Sequence, residues 1–203
     1  MIAAVVLAAG GSRRMGRPKQ LLPLAGRPLV WHVAAAACRS VAGEVLVVTG
    51  AEQTAVKAAV ACLPAKVIPN QSWREGQASS LKAGLNAVSP SARAVIFLLA
   101  DQPLVTPELI DSLAAAWRAG GGSIVAPVAG GRRGNPVLFD LGRWLQPLTA
   151  LAGDAGARTV IAANPDQLTA VPVVDEAMFF DVDTPDQYEE IKRLYKAIHP
   201  GGH

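Results

Sequence analysis

The chain carries, near its start, the stretch Ile2-Ala-Ala-Val-Val-Leu-Ala-Ala-Gly-Gly-Ser-Arg-Arg-Met-Gly-Arg-Pro-Lys19. The part over Ile2–Ala8 is continuously apolar, which is typical of a strand buried on both faces of a parallel sheet. The part that follows is a glycine-rich loop with four basic side chains. Glycines let backbone N–H groups come close to a ligand, and Arg and Lys neutralise phosphate. The stretch therefore predicts a buried strand that leads into a nucleoside triphosphate site.

This loop differs from the common phosphate-binding loops. Gly11 and Gly16 have the Walker spacing, but Arg17 and Pro18 stand where that motif needs Lys and then Ser or Thr. The loop also lacks the G-x-G-x-x-G fingerprint of dinucleotide sites. Because Pro18 disfavours a helical conformation at Arg17, we expect an irregular, extended strap. The alternative is a solvated basic turn after a buried strand.

Composition limits the partners of the chain. Four of its 19 basic residues lie on this loop, and without them basic and acidic residues nearly balance. A local basic patch favours a small anionic ligand over nucleic acid. The first apolar run is too short to span a membrane and has no cationic segment before it, so we expect no membrane association. Cys38 and Cys62 lack metal-ligand spacing and are expected to be buried, reduced thiols, which favours a cytoplasmic location.

Short apolar runs alternate with longer amphipathic runs through the first half of the chain, in the order βαβαβαβα. Strands are predicted over 2–8, 44–49, 66–68, 94–100, 123–126, 136–139, 168–174 and 178–182. Helices are predicted over 28–39, 52–62, 77–88, 107–119, 141–148, 156–163 and 185–198. We expect a three-layer Rossmann-like α/β fold, with a mostly parallel sheet and a short antiparallel part in the second half.

Two carboxylates follow predicted strands, where open α/β sheets bind their ligands. Asp101 follows the run 94–100 and Asp183 follows the run 178–182. Proteins commonly hold Mg²⁺ with one or two carboxylates together with substrate phosphates. We therefore predict Mg²⁺ as the cofactor, with Asp101 and Asp183 as its ligands. Two alternatives stay open: Asp183 caps the following helix, or Asp181, on the same side of its strand, is the ligand instead.

Several stretches together carry a family resemblance. The opening loop resembles the signature loop of the nucleotidyltransferases that activate sugars, isoprenoid precursors and molybdenum cofactor. Later stretches narrow the resemblance to the molybdenum cofactor (molybdopterin) cytidylyltransferases, within the MobA-like nucleotidyltransferases. These stretches are Asn70-Gln-Ser-Trp73-Arg-Glu-Gly76-Gln-Ala-Ser79-Ser80-Leu81, Leu99-Ala-Asp101-Gln-Pro103, Arg133-Gly134-Asn135-Pro136-Val-Leu-Phe139, Gly153-Asp154-Ala-Gly156-Ala-Arg158 and Asp181-Val-Asp183-Thr-Pro185. We expect a single nucleotidyltransferase domain over 1–198 and a disordered tail over 199–203.

The resemblance implies transfer of CMP from CTP to the terminal phosphate of molybdopterin, with release of pyrophosphate. The attacking phosphate is already anionic, so the enzyme supplies alignment and charge neutralisation rather than a nucleophile. Arg13 and Lys19 are the implied catalytic residues. Lys19 would neutralise charge between the α-phosphate and the leaving group, and Arg13 would act on the β- and γ-phosphates. A molybdoenzyme or its chaperone is the implied recipient of the product.

The resemblance also implies which residues bind the nucleotide. They are Leu7, Ala8, Ala9, Gly10, Gly11, Ser79 and Ser80. Related enzymes that use GTP tend to carry glycine where Ala9 stands, and a methyl group there narrows the slot in favour of a pyrimidine. For Ser79 and Ser80 the alternative is a structural role in the polar first turn of a helix.

The acceptor side of the site is assigned to a second set of residues. Arg133, Gly134, Asn135 and Pro136 would form the pterin-side wall, with Asp154 and Arg158 opposite. The structural alternatives are a plain hairpin for the first group and an (i, i+4) ion pair for Asp154 and Arg158.

Three functions remain possible for such a chain. The first is the cytidylyltransferase acting on molybdopterin. The second is the same chemistry with GTP or another phosphorylated acceptor. The third is a non-catalytic module that binds or delivers molybdenum cofactor. Arg13, Lys19, Asp101 and Asp183 form a set that a pure binder does not need, which favours an enzyme.

Overall fold

Strands and helices alternate along most of the chain, of which the computed structural model describes residues 1–11 and 15–199. The strands are β1 (Ile2–Ala8), β2 (Pro23–Leu24), β3 (Arg27–Pro28), β4 (Glu44–Thr49), β5 (Lys66–Pro69), β6 (Ala94–Leu99), β7 (Ile124–Ala129), β8 (Arg132–Arg133), β9 (Val137–Asp140) and β10 (Leu168–Pro172). The helices are α1 (Leu29–Cys38), α2 (Gln53–Val60), α3 (Gln77–Ala87), α4 (Pro107–Arg118), α5 (Leu141–Thr149), α6 (Ala157–Ala163) and α7 (Pro185–Ile198).

The main sheet has the strand order β10-β7-β9-β6-β1-β4-β5, and β8 pairs with β7 outside this path. Strand β1 lies between two parallel neighbours, with Val5 opposite Leu46 on β4 and opposite Phe97 on β6. Strand β9 runs antiparallel to both β6 and β7. The predicted mostly parallel sheet with a short antiparallel part in the second half is confirmed.

Apolar layers cover both faces of the sheet. On one face Val6 packs with residues of α1, α2 and α4, including Val33 and Ile110. On the other face Val5 packs with residues of α3, α5 and α6, including Leu85. Because both faces of β1 are buried, its sequence is apolar throughout instead of alternating. This arrangement confirms the predicted three-layer α/β fold.

Most predicted element bounds agree with the structure to within a few residues, but the strand predicted over 178–182 is wrong. Residues Glu176–Phe179 form a 3-10 turn, in which the Asp175 side chain accepts a hydrogen bond from the N–H of Ala177. A side-chain oxygen that captures the N–H two residues ahead favours a turn over an extended strand. The β2–β3 hairpin was not predicted; its turn contains Ala25 and Gly26, both with positive φ.

Three further expectations concern the cysteines, the tail and membranes. Cys38 is half-buried and burial raises its thiol pKa, whereas Cys62 is exposed, so the predicted burial of Cys62 is wrong. Of the predicted tail, residues 200–203 lie outside the described part of the chain. That residues 1–198 form a single domain stays a prediction. Among the described residues, no helix combines the length and apolar character needed to cross a membrane.

Candidate active site

A cleft of about 500 Å³ opens at the carboxyl ends of β1 and β6. Its lining comprises Leu7, Ala8, Ala9, Gly10, Gly11, Lys19, Gln20, Trp73, Arg74, Gly76, Gln77, Ser80, Leu99, Ala100, Asp101 and Asp154. The position agrees with the general rule that open α/β sheets bind ligands at this edge. All the residues predicted to bind nucleotide, except Ser79, line this cleft.

The start of the glycine-rich loop is held by Gln20, Trp73 and Gly50, of which only Trp73 belongs to a stretch quoted from the sequence. Gln20 is 3% exposed, and its Nε2 donates a hydrogen bond to the carbonyl of Gly10 at 3.2 Å. The Trp73 ring covers Gly11, where a Cβ would lie 3.1 Å from the ring. At the end of β4, Gly50 comes so close to Ala9 and Trp73 that no side chain would fit. These contacts fix the floor of the cleft.

One ammonium group joins the two carboxylates predicted to bind metal. The Lys19 Nζ lies 2.5 Å from Asp101 Oδ2 and 2.5 Å from Asp183 Oδ1. Burial by itself lowers the pKa of Lys19, but the charges and hydrogen bonds of the two carboxylates outweigh it, so the net pKa is raised. Lys19 is therefore a stably charged cation at the mouth of the cleft.

Asp183 comes just before the cap of α7, and its carboxylate contacts Lys19 without capping that helix. The Thr184 hydroxyl accepts a hydrogen bond from the Gln187 N–H at 3.3 Å and is the cap of α7. The alternative in which Asp183 caps the helix is therefore wrong. The preceding residue, Val182, is fully buried in an apolar cluster with Tyr188 and other residues of α7 and the β2–β3 region.

Asp181 lies close enough to Asp101, Asp183 and Lys19 for their charges to act on it, but its hydrogen-bond partner is Gln102. Its Oδ1 accepts a 2.6 Å hydrogen bond from Gln102 Nε2. Burial raises the pKa of Asp181, as does the nearby charge of Asp101, and the Gln102 hydrogen bond opposes both effects only in part. Asp101 and Asp183 share the Lys19 ammonium, whereas the side-chain hydrogen bond of Asp181 is with Gln102.

The paired carboxylates fit a divalent cation that also binds phosphate. Within residues 1–11 and 15–199, no three His, Cys, Asp or Glu side chains form a group that could hold a metal ion. Asp101 and Asp183 form a pair, and their contact with one ammonium shows that the pair can bind a single cation together. Mg²⁺ takes one or two carboxylates and completes its six oxygen ligands with phosphates and water.

Ser79 and Ser80 have different surroundings although they are adjacent. Asn70 is buried, and its Nδ2 donates hydrogen bonds to both hydroxyls, at 2.8 Å and 3.1 Å. The Ser79 hydroxyl in turn donates to the Gly76 carbonyl in the first turn of α3, and Ser79 lines a separate surface depression. Only Ser80 lines the cleft. The structural alternative thus describes the position of Ser79 well.

Asp154 reaches the cleft through a close backbone contact. Gly76 has φ +108°, and a Cβ there would collide with the backbone of Gly153. The N–H of Ala78 donates a hydrogen bond to the Gly153 carbonyl at 3.0 Å. Glycine at position 76 therefore lets the 153–154 segment dock against the start of α3 and places Asp154 in the lining.

The other residues assigned to the acceptor side do not line this cleft. Arg133 lies on β8, which forms a hairpin with β7, as the structural alternative states. Gly134 packs against the Phe179 ring, and the Asn135–Pro136 peptide bond is cis. Arg158 is exposed on α6, and the ion pairs of the described residues do not include one between it and Asp154.

Two further sets of residues complete the comparison with the sequence predictions. Arg13, a predicted catalytic residue, lies outside the described residues. Gln20, Arg74 and Gln77 line the cleft but were not predicted. The sequence offered one sign for Gln20, a single polar amide directly before the apolar residues Leu21 and Leu22. Arg74 and Gln77 lie inside the quoted Asn70–Leu81 stretch.

The family description "MobA-like NTP transferase domain" matches residues 4–169 of the chain. The chain belongs to the MobA-like NTP transferase family. This transferase is 34% identical to the nicotine blue oxidoreductase of Paenarthrobacter nicotinovorans, over 92% of its own length and 94% of that protein. It is 30% identical to the purine catabolism protein PucB of Bacillus subtilis, over 93% of its own length and 95% of that protein.

Solved structures give the same fold for this MobA-like transferase. A homologue of Rv0371c from Mycobacterium sp. strain JC1 superposes with a TM-score of 0.86 and 30% identity, over 98% of both chains. Rv0371c of Mycobacterium tuberculosis in complex with manganese superposes with a TM-score of 0.81 and 26% identity, over 95% of this chain and 98% of that one.

Proposed function

We propose that this MobA-like transferase is a Mg²⁺-dependent cytidylyltransferase that transfers CMP from CTP to the terminal phosphate of molybdopterin. One observation carries the proposal: Lys19 and the carboxylates of Asp101 and Asp183 meet at the cleft formed by the glycine-rich loop. A cation and a carboxylate pair beside backbone N–H groups are what phosphoryl transfer requires. The resemblance of the later motifs to molybdenum cofactor cytidylyltransferases supplies the acceptor.

In this reaction an oxygen of the molybdopterin phosphate attacks the α-phosphorus of CTP. The new P–O bond forms as the bond between the α-phosphorus and the bridging oxygen breaks, and pyrophosphate leaves with that electron pair. Lys19 would neutralise the charge that develops between the α-phosphate and the leaving group. Mg²⁺ held by Asp101 and Asp183 supplies charge neutralisation at the phosphate oxygens. The chain need supply no nucleophile, because the acceptor phosphate is an anion.

The choice of CTP rests on the start of the loop. Ala9 lines the cleft, and Gly50 and Trp73 lie close behind it, so the loop has little freedom to move away from a base. The Ser80 hydroxyl and the backbone of Leu7 are the polar groups proposed to contact the base and ribose. A larger purine would need more room than a pyrimidine at Ala9.

Pyrophosphate release measured with Mg²⁺, molybdenum cofactor and CTP, GTP or ATP in parallel tests the proposal. We expect the highest kcat/KM with CTP. A preference for GTP would overturn the role assigned to Ala9 while leaving nucleotidyl transfer intact. Tight CTP binding without pyrophosphate release from any nucleotide would show a binding or delivery module instead of an enzyme.

A second candidate is a redox function, because the name of the Paenarthrobacter relative describes an oxidoreductase of nicotine blue. NADH or NADPH and nicotine blue are therefore added to the same protein samples. Oxidation of NADH or NADPH is followed by absorbance. We expect no oxidation above the rate without protein. Oxidation at a rate proportional to protein, without pyrophosphate release in the first assay, would replace the transferase proposal with the redox one.

A further inference from the structure

A single buried amide joins the two segments that carry the paired carboxylates. Gln102 directly follows Asp101 and is 2% exposed. Its Nε2 donates hydrogen bonds to Asp181 Oδ1 at 2.6 Å and to the Phe179 carbonyl at 3.4 Å. The side chain therefore reaches from the end of β6 to the segment that leads into Asp183.

The orientation of this amide follows from its partner. A carboxylate without a proton only accepts hydrogen bonds, so the nitrogen of Gln102 must face Asp181. The amide oxygen, Oε1, is buried and has no hydrogen-bond partner among the described residues. A buried acceptor without a partner lowers stability, and an apolar side chain of similar size would avoid that loss but would make neither hydrogen bond of Nε2. The unpartnered oxygen therefore accompanies a nitrogen that links the two segments.

The backbone supplies a second link between the same segments. The N–H of Val182 donates a hydrogen bond to the Asp101 carbonyl at 3.1 Å. This bond and the Gln102–Asp181 bond lie side by side, one residue apart in each segment. A single hydrogen bond would let one segment rotate against the other. Two adjacent hydrogen bonds restrict that rotation.

We propose that Gln102 is a positioning residue, which sets the separation of the Asp101 and Asp183 carboxylates through its hydrogen bond to Asp181. The inference rests on the proposed function, in which that pair binds the divalent cation together with the nucleotide. Asp181 serves as a hydrogen-bond acceptor and is not a third ligand. Partners of metal ligands commonly matter for affinity because they fix the orientation of the ligands.

The test measures Mn²⁺ affinity in the presence of a CTP analogue with a methylene group between the α- and β-phosphates, with free Mn²⁺ followed by electron paramagnetic resonance. Gln102→Leu and Asp181→Ala should each weaken Mn²⁺ binding about tenfold. Asp181→Asn should stay within about twofold of the wild type, because its amide oxygen accepts the same hydrogen bond. Gln102→Leu should also unfold at a lower temperature than the wild type, because two hydrogen bonds between the segments are lost.

Gln146→Leu is the matched control, since it makes the same change at an exposed position of α5. Wild-type Mn²⁺ affinity in Gln102→Leu would overturn the positioning role while leaving the proposed function in place. A loss in Asp181→Asn equal to that in Asp181→Ala would show that Asp181 acts through its charge and not through the Gln102 hydrogen bond, and would overturn the inference. No Mn²⁺ binding by the wild type with the analogue would overturn both the proposed metal site and the inference. If Gln102→Leu does not fold, the two Asp181 variants decide.

Discussion

The Lys19 ammonium and the Asp101 carboxylate are 2.5 Å apart, although Lys19 comes from the first loop and Asp101 from the end of β6. The same ammonium contacts Asp183 at the start of α7. One ammonium thus contacts both carboxylates that the proposed reaction assigns to Mg²⁺ and offsets one of their two negative charges. In that reaction a divalent cation and Lys19 compete for the same carboxylate pair.

Lys19→Met keeps most of the side-chain stem and removes the charge. We expect pyrophosphate release to fall by about 10² or more, because a donor to the developing charge is lost. Mn²⁺ binding without nucleotide should tighten, because its competitor is gone. Steady-state kinetics and Mn²⁺ titration measure the two effects. A loss of both turnover and Mn²⁺ affinity would show that Lys19 supports the metal site and does not compete for it.

Asp101→Asn and Asp183→Asn test the carboxylate pair. Each should lower turnover by about 10² and move the Mg²⁺ dependence to higher concentration, since a neutral amide binds Mg²⁺ less well than a carboxylate. Asp186→Asn provides the control, because Asp186 is exposed in the first turn of α7. An unchanged Mg²⁺ dependence in both variants would exclude the pair as the metal site.

Ser79→Ala and Ser80→Ala separate two adjacent hydroxyls. Only Ser80 lines the cleft, so Ser80→Ala should raise KM for CTP about tenfold, the effect of losing one hydrogen bond to substrate. Ser79→Ala should leave KM unchanged and lower the unfolding free energy by about 1 kcal/mol, because its bond to the Gly76 carbonyl is lost. A raised KM in Ser79→Ala with an unchanged KM in Ser80→Ala would place the cytosine base on the Ser79 side of α3.

Gly76→Ala tests the docking of the segment that carries Asp154. Gly76, with φ +108° and ψ −179°, is in a region that only glycine adopts readily, which costs a side chain about 1–3 kcal/mol, and the collision with the Gly153 backbone adds about 1–3 kcal/mol. Gly131→Ala, whose φ is +78° in open surroundings, carries a positive-φ cost but no collision. Urea unfolding measures both variants. Equal destabilisation would show that the 153–154 segment moves aside freely.

His32 gives the fold a dependence on acid. Burial lowers its pKa from 6.5, the charges of His199 and Arg39 act in the same direction, and hydrogen bonds to the carbonyls of Leu24 and Arg27 oppose them only in part. Below about pH 6.5 the unfolded chain therefore binds a proton that the folded chain resists, so stability falls as pH falls. His32→Gln should lose this part of the dependence between about pH 7.5 and pH 5.5, measured by urea unfolding. An equally steep fall in the variant would assign it to other groups.

Strong local signals made the bounds of several elements predictable. The apolar runs of β1 and β4 and the Thr184-Pro185 start of α7 match the predicted bounds, because burial on both faces and helix capping are visible in a few adjacent residues. The run Met178-Phe179-Phe180 misled the strand prediction, because these side chains pack around a turn and not in a sheet.

The candidate site was predictable where its residues follow strands, and less so where distant segments meet. Asp101 was predicted from its place after the apolar run of β6, whereas Asp183 was predicted from a strand over 178–182 that the structure does not contain. Their contact with the same Lys19 ammonium, and the link from Gln102 to Asp181, depend on packing between segments far apart in the chain. The direction of the Ser79 and Ser80 hydroxyls depends on the rotation of α3, which Asn70 fixes from another loop.

The reversed strand β9 has a consequence for how the sheet meets two substrates. Val137, at its amino end, pairs with Phe97 near the carboxyl end of β6. Because β9 is antiparallel to β6, its amino end lies at the edge of the sheet where the parallel strands have their carboxyl ends. The segment before Val137 therefore lies at the ligand edge, beside the loop that carries Asp101. Parallel strands on one side of this boundary form the cleft, and the β7–β8 hairpin lies on the other. In the proposed reaction, β9 separates the part of the sheet that binds the nucleotide from the part beside the acceptor. The β7–β8 hairpin could therefore differ between enzymes with different acceptors while the nucleotide cleft stays the same.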